Sequence, residues 1–521
     1  MSLIKSIATV GGCTAISRVA GFIRDILIAR FLGATMMADA FFVALRFPNL
    51  FRSLFAEGTL NVAFVPLFTG ELQKGRREAL NFARSVFSFL FYVLLIFTVL
   101  IELVMPGLMF ILAPGFEQIA GKLALTSTLS RITFPFLLFV SLVSLLAGIL
   151  NSLGRFWAAA FTPTLLNLVM IFFLLCATPF INSPYAPAYA LSIGVMVAGV
   201  IELLFLLWHI WKADFLFGLM GPVKTLGHLS KGVKTLLKKM APGVLGSGVY
   251  QINLFFDTFF VSFVGAGAIS WLNYANHLFQ LPIGIIGVAI GTALLPILSK
   301  HVKAGELEEA NTHLNRGLEI SLAMSVASFV GLFLLAEPII ETLFQYGKFS
   351  AADTLHTAKA LRIFAFGLPA YMATKALSPF FYARGDTTTP VKIAVVGVIL
   401  NTLLAVILMQ FWGYAGIAAA TSLTVWINAT QYVVRLSHHP EFSMDKVFRY
   451  RAPRILISNL IMGIVIYVLL MVKPEFHDRI LSIITLLTII GLGGISYIVC
   501  LIITKGMPLA QLKNILKRKI H

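Results

Sequence analysis

Charge is scarce in this chain. Only 12% of its 521 residues are Asp, Glu, Lys or Arg, and 22 are acidic against 40 basic. Beside 59% hydrophobic residues, so small a charged fraction excludes a soluble globular protein, in which about a quarter of residues are charged. Cysteine is scarcer still. Cys13, Cys176 and Cys500 are the three present; all fall in apolar runs without metal-ligand spacing, so they read as small core residues. Catalytic signatures are missing as well. There is no G-x-x-x-x-G-K-[ST] loop to cradle a nucleotide, and no H-E-x-x-H or G-x-S-x-G. The connections between apolar runs are too short for an extramembrane catalytic domain. These absences argue against enzyme classes and leave transport.

Apolar runs of the roughly 20 residues that span a bilayer as a helix recur about fourteen times. The net charge of +18 follows topology. Basic residues gather in alternate loops, as in 74–84, 224–239, 446–454 and 513–519, while 179–187 and 264–269 carry no charge. That is the positive-inside pattern and places both termini in the cytoplasm. The basicity therefore reports anionic headgroups, and nucleic acid is excluded as a partner.

The chain repeats itself at an offset of about 231 residues, as transporters do. Asp25 and Gly33 match Asp257 and Gly265, Arg131 matches Arg362, Gly154 matches Gly385, and Pro66 answers Pro296. The expected fold is an all-α polytopic membrane protein of about 14 transmembrane helices. Two pseudo-symmetric six-helix lobes enclose a central cavity, and two C-terminal helices follow. The lobes run over 1–211 and 240–436, and the two extra helices and basic tail over 437–521. Between the lobes, 212–239 is either an interfacial amphipathic linker or a plain solvated loop.

Residues 1–70 read as two long apolar helices, yet carry Arg18, Arg24, Asp25, Asp39, Arg46, Arg52 and Glu57. Four arginines facing lipid cost on the order of 10 kcal/mol, so they line a wet cavity. A cavity lined with guanidinium forks suits a phosphate-bearing anion. The sharp reading makes Arg18, Arg24 and Arg52 the anion contacts, with Asp39, Arg46 and Asn49 in the same set. Asp25, Asp39 and Glu57 hold the arginines when the site is empty, Asp25 and Glu57 as gating ion pairs. Seven-residue spacing puts Arg18 with Asp25 and Asp39 with Arg46 on shared faces. The alternative is snorkelling at helix ends plus structural ion pairs, the preferred reading for Arg30. Asp257, mid-span, is either a cation or proton site, with Asn401 and Thr421 as further oxygen ligands, or a hydrogen-bonded structural acid. His277 either titrates near neutral pH or packs as a neutral ring. Energy comes from an ion gradient of sodium or protons, the membrane potential or consumption of the product, one charge across the field being worth about 2.3 kcal/mol per 100 mV.

SRVAGFIRDILIARFLGA (17–34), ADAFFVALRFPNLFRSLFAEG (38–58), APGF (113–116), GVAIGTALLPILSK (287–300) and FQYGKF (344–349) resemble the MurJ (MviN) lipid II flippases of the multidrug/oligosaccharidyl-lipid/polysaccharide exporter superfamily, and the similarity runs nearly end to end. The resemblance implies a transporter without cofactor in the bacterial inner membrane. It implies alternating access that carries undecaprenyl-diphosphate-linked disaccharide pentapeptide, lipid II, to the outer face for peptidoglycan synthesis. The implied partners are lipid II, membrane lipids and the cell-wall machinery. It places family-critical roles on Arg18, Arg24, Asp39 and Arg52, and a polyprenyl groove on the last two helices. Where family members commonly carry Tyr-Ala-Asp-Arg-Leu, this chain has Tyr274-Ala275-Asn276-His277-Leu278, a histidine in place of the second-lobe arginine. Ala405 stands where a second sodium-binding carboxylate is expected. The rival readings are a flippase for another undecaprenyl-diphosphate glycan and a cation-coupled drug antiporter on the same scaffold; an arginine-lined cavity opposes the second.

Overall fold

The computed structural model describes residues 3–55, 59–215, 230–473 and 478–508. Glu57 and half of the expected linker, 216–229, lie outside the described residues. The chain forms two compact units, Met1–Ser270 with Tyr346–Phe349 and Trp271–Gln345 with Ser350–His521.

In the first unit the helices are α1 (Leu3–Leu32), α2 (Met36–Phe55), α3 (Thr59–Lys74), α4 (Arg76–Leu112), α5 (Lys122–Thr133), α6 (Phe136–Ser152), α7 (Phe156–Phe172), α8 (Ala186–Lys212) and α9 (Lys231–Ser262). The first 70 residues thus enter three helices, where two were expected; in the sequence between α2 and α3 stands Gly58, a poor helix former. The basic stretch 231–239 is the first part of α9, started by Ser230, whose hydroxyl accepts from Val233 N at 3.3 Å. Helix α9 packs on α2, α3 and α4, so the unit boundary falls after α9, about thirty residues beyond the stretch expected to divide the lobes. Phe64 anchors the core, its ring stacked 5.4 Å from Phe68 and 5.5 Å from Phe82.

Helix α10 (Ala268–Pro282) starts in the first unit and continues into the second. A π turn over Ile283–Gly287 then leads to α11 (Val288–Ala304). There follow α12 (Leu307–Leu334), α13 (Ala336–Phe344), α14 (Ala351–Phe366), α15 (Leu368–Ala383), α16 (Thr388–Trp412), α17 (Tyr414–Ser437), α18 (Lys446–Met471) and α19 (Arg479–Ile503). The hairpin of α18 and α19 packs on α12 and α13, and Tyr497 donates its hydroxyl to Ala323 O at 2.7 Å.

The duplication is visible in the element order. Helices α1 and α9 each end before a glycine in the left-handed region, Gly33 (φ 64°) and Gly265 (φ 113°), and a new helix begins three residues on. Paired helices α5–α6 and α14–α15 then end two residues before Gly154 (φ 72°) and Gly385 (φ 77°). Among the described residues nine helical stretches are long and apolar enough to cross a bilayer by length and composition, fewer than the fourteen expected from sequence. The arginine-bearing α1 and α2 are not among those nine. Outward residues of α16, such as Ile399, Leu403, Ile407 and Phe411, are more than half exposed, the pattern of a face whose solvent is lipid.

Candidate functional site

Pro48 shapes the arginine-bearing helix α2. Lacking an N–H, it leaves the Ala44 carbonyl without its helical donor, and Thr133 Oγ1 of α5 donates to that oxygen at 2.9 Å. One residue on, Asn49 Nδ2 donates to Leu45 O at 2.9 Å. Thr133→Val keeps the shape and strands the carbonyl, so we expect a loss of about 1–3 kcal/mol in unfolding free energy, read as a lowered midpoint in detergent.

Arg24 is gripped from two sides. Its Nη2 and Nε donate to Asp25 Oδ1 at 2.7 and 3.0 Å, and Nη1 donates to Asn167 Oδ1 of α7 at 2.8 Å. Asn167 Nδ2 in turn donates to Ser17 O at 3.0 Å, which fixes its amide. Asp25 therefore pairs with its neighbour Arg24. Arg18 and Asp25 share a helix face, but seven residues set them about 10 Å apart along the axis, too far for a direct contact. Arg18 is exposed on α1, directly after Ser17, whose carbonyl Asn167 holds. Arg46 Nη1 donates to Thr258 Oγ1 of α9 at 2.7 Å. Arg52, half-buried at the end of α2, interacts electrostatically with Glu202 of α8, a carboxylate only 3% exposed.

The pairing expected of Asp39 is corrected. Asp39 is fully buried and bound to Lys122 Nζ at 2.8 Å, not to an arginine. It also accepts from Gly267 N at 2.7 Å, Ser270 N at 2.9 Å and Ser270 Oγ at 2.7 Å, capping α10. Lys122 Nζ lies 3.9 Å from the ring centre of Phe116, which supplies a cation–π face. The APGF segment thereby finds its reason: Gly115 N donates to Ser262 Oγ at 3.1 Å, and a Cβ on Gly115 would run into the Ser262 backbone. Beside this cap, Lys348 N donates to Arg30 O at 3.0 Å, and the Arg30 guanidinium stands 5.3 Å from the Tyr346 ring centre.

Asp257 of α9 accepts from Asn253 Nδ2 at 3.1 Å. Asn401, buried, and Thr421, half-buried, stand on the neighbouring helices α16 and α17 of the second unit, with the Thr421 hydroxyl donating to Ile417 O at 3.2 Å. His277 is half-buried on α10. Among the described residues no three His, Cys, Asp or Glu side chains gather into a metal-binding group. Lys122, Asn167, Glu202 and Ser270 escaped the sequence reading. Only Lys122 left a signal: a lysine in the first turn of a helix opposes the dipole and asks for a carboxylate.

The helix order and the arginine set can be compared with known proteins. Residues 28–488 match the family model described as Lipid II flippase MurJ. The chain belongs to the MurJ family. A probable lipid II flippase MurJ from Rhizobium tropici is 39% identical over 528 residues, covering 100% of this chain and 97% of that protein. The lipid II flippase MurJ of Burkholderia cenocepacia is 37% identical, covering 82% and 83%. A solved structure titled Lipid II flippase MurJ, inward closed conformation, aligns with TM-score 0.75 at 28% identity, over 94% of this chain and 97% of that one. An inward-facing MATE family transporter of the MOP superfamily aligns with TM-score 0.65 at 16% identity, over 85% and 96%, and shares the fold. MurJ proteins are flippases, and this member is a multi-pass membrane transporter, not an enzyme.

Proposed function

We propose that this chain carries lipid II from the inner to the outer face of the bacterial cytoplasmic membrane by alternating access, and that Arg18, Arg24, Arg46, Arg52 and Asn49 receive its diphosphate headgroup. One observation carries the reading. Helices α1 and α2 bear these four arginines against two acids of their own, Asp25 and Asp39, and Asp39 is committed to Lys122. Even with Glu202 of α8 counted beside Arg52, positive charge is in excess, which suits a diphosphate. Asp25 holds Arg24 until substrate takes over, so a gating role stands for it; Glu57 keeps its proposed role from sequence only. Both termini lie in the cytoplasm, which puts the Asp39 cap at the outer end of the membrane.

From the sequence, His277 is proposed as a further headgroup contact, weaker than the arginine that relatives commonly carry. Restoring it with His277→Arg is expected to raise the surface lipid II signal at equal protein level, because the guanidinium fork binds phosphate oxygens two at a time; an unchanged signal refutes a headgroup contact at this position. For a coupling ion the proposal rests on the sequence: sodium with Asp257, Asn401 and Thr421 as candidate oxygens, with protons or the membrane potential as other drives. Membrane lipids and the cell-wall synthesis machinery are the partners this role implies. The test is rescue of a flippase-depleted bacterium, with an outer-face probe of lipid II in the same cells. Growth with surface lipid II is expected. A well-expressed protein that fails to rescue points to another undecaprenyl-diphosphate glycan.

A further inference from the structure

A cavity of about 700 Å³ lies in the second unit where the start of α18 meets the chain leaving α19. Its walls are of two kinds. Lys446, Arg451 and Lys505 supply cations, while Val447, Ile502 and Met507 supply an apolar surface beside Tyr450. We propose that this pocket binds the phosphate headgroup of an anionic phospholipid, with the glycerol and upper acyl chain on the apolar wall.

The cations are placed in different ways. Arg451 is held from behind by Glu319 at 3.0 Å, and Glu319 is itself buried and paired with Arg316, which also binds Asp445 at the cap of α18. Arg451 thus shares its charge with a carboxylate but is fixed in place against α12. Lys446 and Lys505 are exposed and have no carboxylate partner among the described residues.

Lys505 carries the second, independent observation. Helix α19 ends in a Schellman turn, in which Gly506 N donates to Leu501 O at 2.9 Å and Lys505 N to Ile502 O at 3.1 Å. Lys505 occupies the left-handed position of that turn (φ 55°), and glycine, the usual occupant, comes one residue later. Only one other non-glycine among the described residues, Asp214, has positive φ. A lysine anywhere in the last turn would satisfy the helix dipole without this strain. Its placement at the strained position puts a cation on the pocket's rim. An apolar wall under three cations suits a lipid better than a soluble phosphate, which leaves the wall wet. The ligand is a headgroup, not the polyprenyl chain that the family resemblance assigns to the hairpin.

The test uses the full-length protein in nanodiscs of phosphatidylcholine doped with a photoactivatable phosphatidylglycerol, or with a phosphatidylcholine probe of the same chains. Labelling is mapped by mass spectrometry and reads binding whatever the chain transports. Peptides covering 446–454 and 502–508 are expected to take the glycerol probe at least about fivefold over the choline probe, each lysine near the surface being worth about that factor. Lys446→Gln with Lys505→Gln brings the two probes level. Lys505→Gly removes the cation while easing the backbone, so it lowers labelling at an unchanged or higher unfolding temperature, which separates loss of the site from loss of the fold. Equal labelling by both probes, or full labelling of the double variant, overturns the proposal. Displacement by millimolar inorganic phosphate assigns the pocket to a soluble anion and overturns the lipid.

Discussion

Arg24→Ala is expected to abolish rescue of a flippase-depleted strain while the protein still accumulates in the membrane. The guanidinium is engaged on three nitrogens, two of its bonds going to Asp25 and one to Asn167. In the proposed headgroup role those donors are handed to phosphate oxygens during transport. Each charge-assisted bond lost costs about 1.5–3 kcal/mol, which is roughly 10- to 150-fold in substrate affinity, and Arg24 supplies at least two. Arg24→Lys keeps the charge but not the fork, so it should restore only a small part of the surface-exposed lipid II signal. Asn167→Ala leaves the charge in place and loosens its aim, giving an intermediate loss. Wild-type surface lipid II in the alanine variant would sink the headgroup site. An alanine variant missing from the membrane fraction would instead assign Arg24 to folding.

The largest effect on stability is expected at the Asp39–Lys122 pair. Asp39→Ala deletes four accepted hydrogen bonds and leaves an ammonium with no exposure to water beside Phe116. Removing one partner of a buried ion pair costs about 3–5 kcal/mol, much of the roughly 5–15 kcal/mol that a folded protein has in hand. Lys122→Met should cost less, because Asp39 keeps the two amides and the hydroxyl at the start of α10. The double variant should fall short of the sum of the singles by more than about 0.5 kcal/mol, the margin within which independent sites add. Unfolding midpoints of all three in detergent decide this. Strict additivity means that the two charges do not stabilise each other.

The all-helical apolar character, the duplication and the arginine-rich first helices were legible in the sequence, though nine of the fourteen expected spans qualify among the described residues. Lipid sets a fixed span of apolar residues, and charge inside it stands out at once. Partners were not legible. Shared helix faces suggested Arg18 with Asp25 and Asp39 with Arg46, but a face is long, and a carboxylate bonds to whatever packing brings within about 3 Å. For Asp39 that is Lys122, 83 residues away, and the start of α10, 228 residues away. Asn167 and Glu202 were overlooked because a lone polar residue in an apolar run has no partner until the helices pack. The basic start of α9 read as linker because positive charge marks an interface equally well in a loop or a helix.

By itself the sequence determined that this chain is a helical membrane transporter of the MurJ family, with arginines concentrated in its first two helices. Apolar length, charge placement and repeat spacing are properties of the chain before it folds. Only the tertiary structure decided which carboxylates remain to balance the arginines, since Asp39 spends its charge on Lys122 once α2, α5 and α10 meet. It also decided that Lys505 takes a strained turn at the rim of a cavity, because a pocket exists only after α18 and α19 have packed.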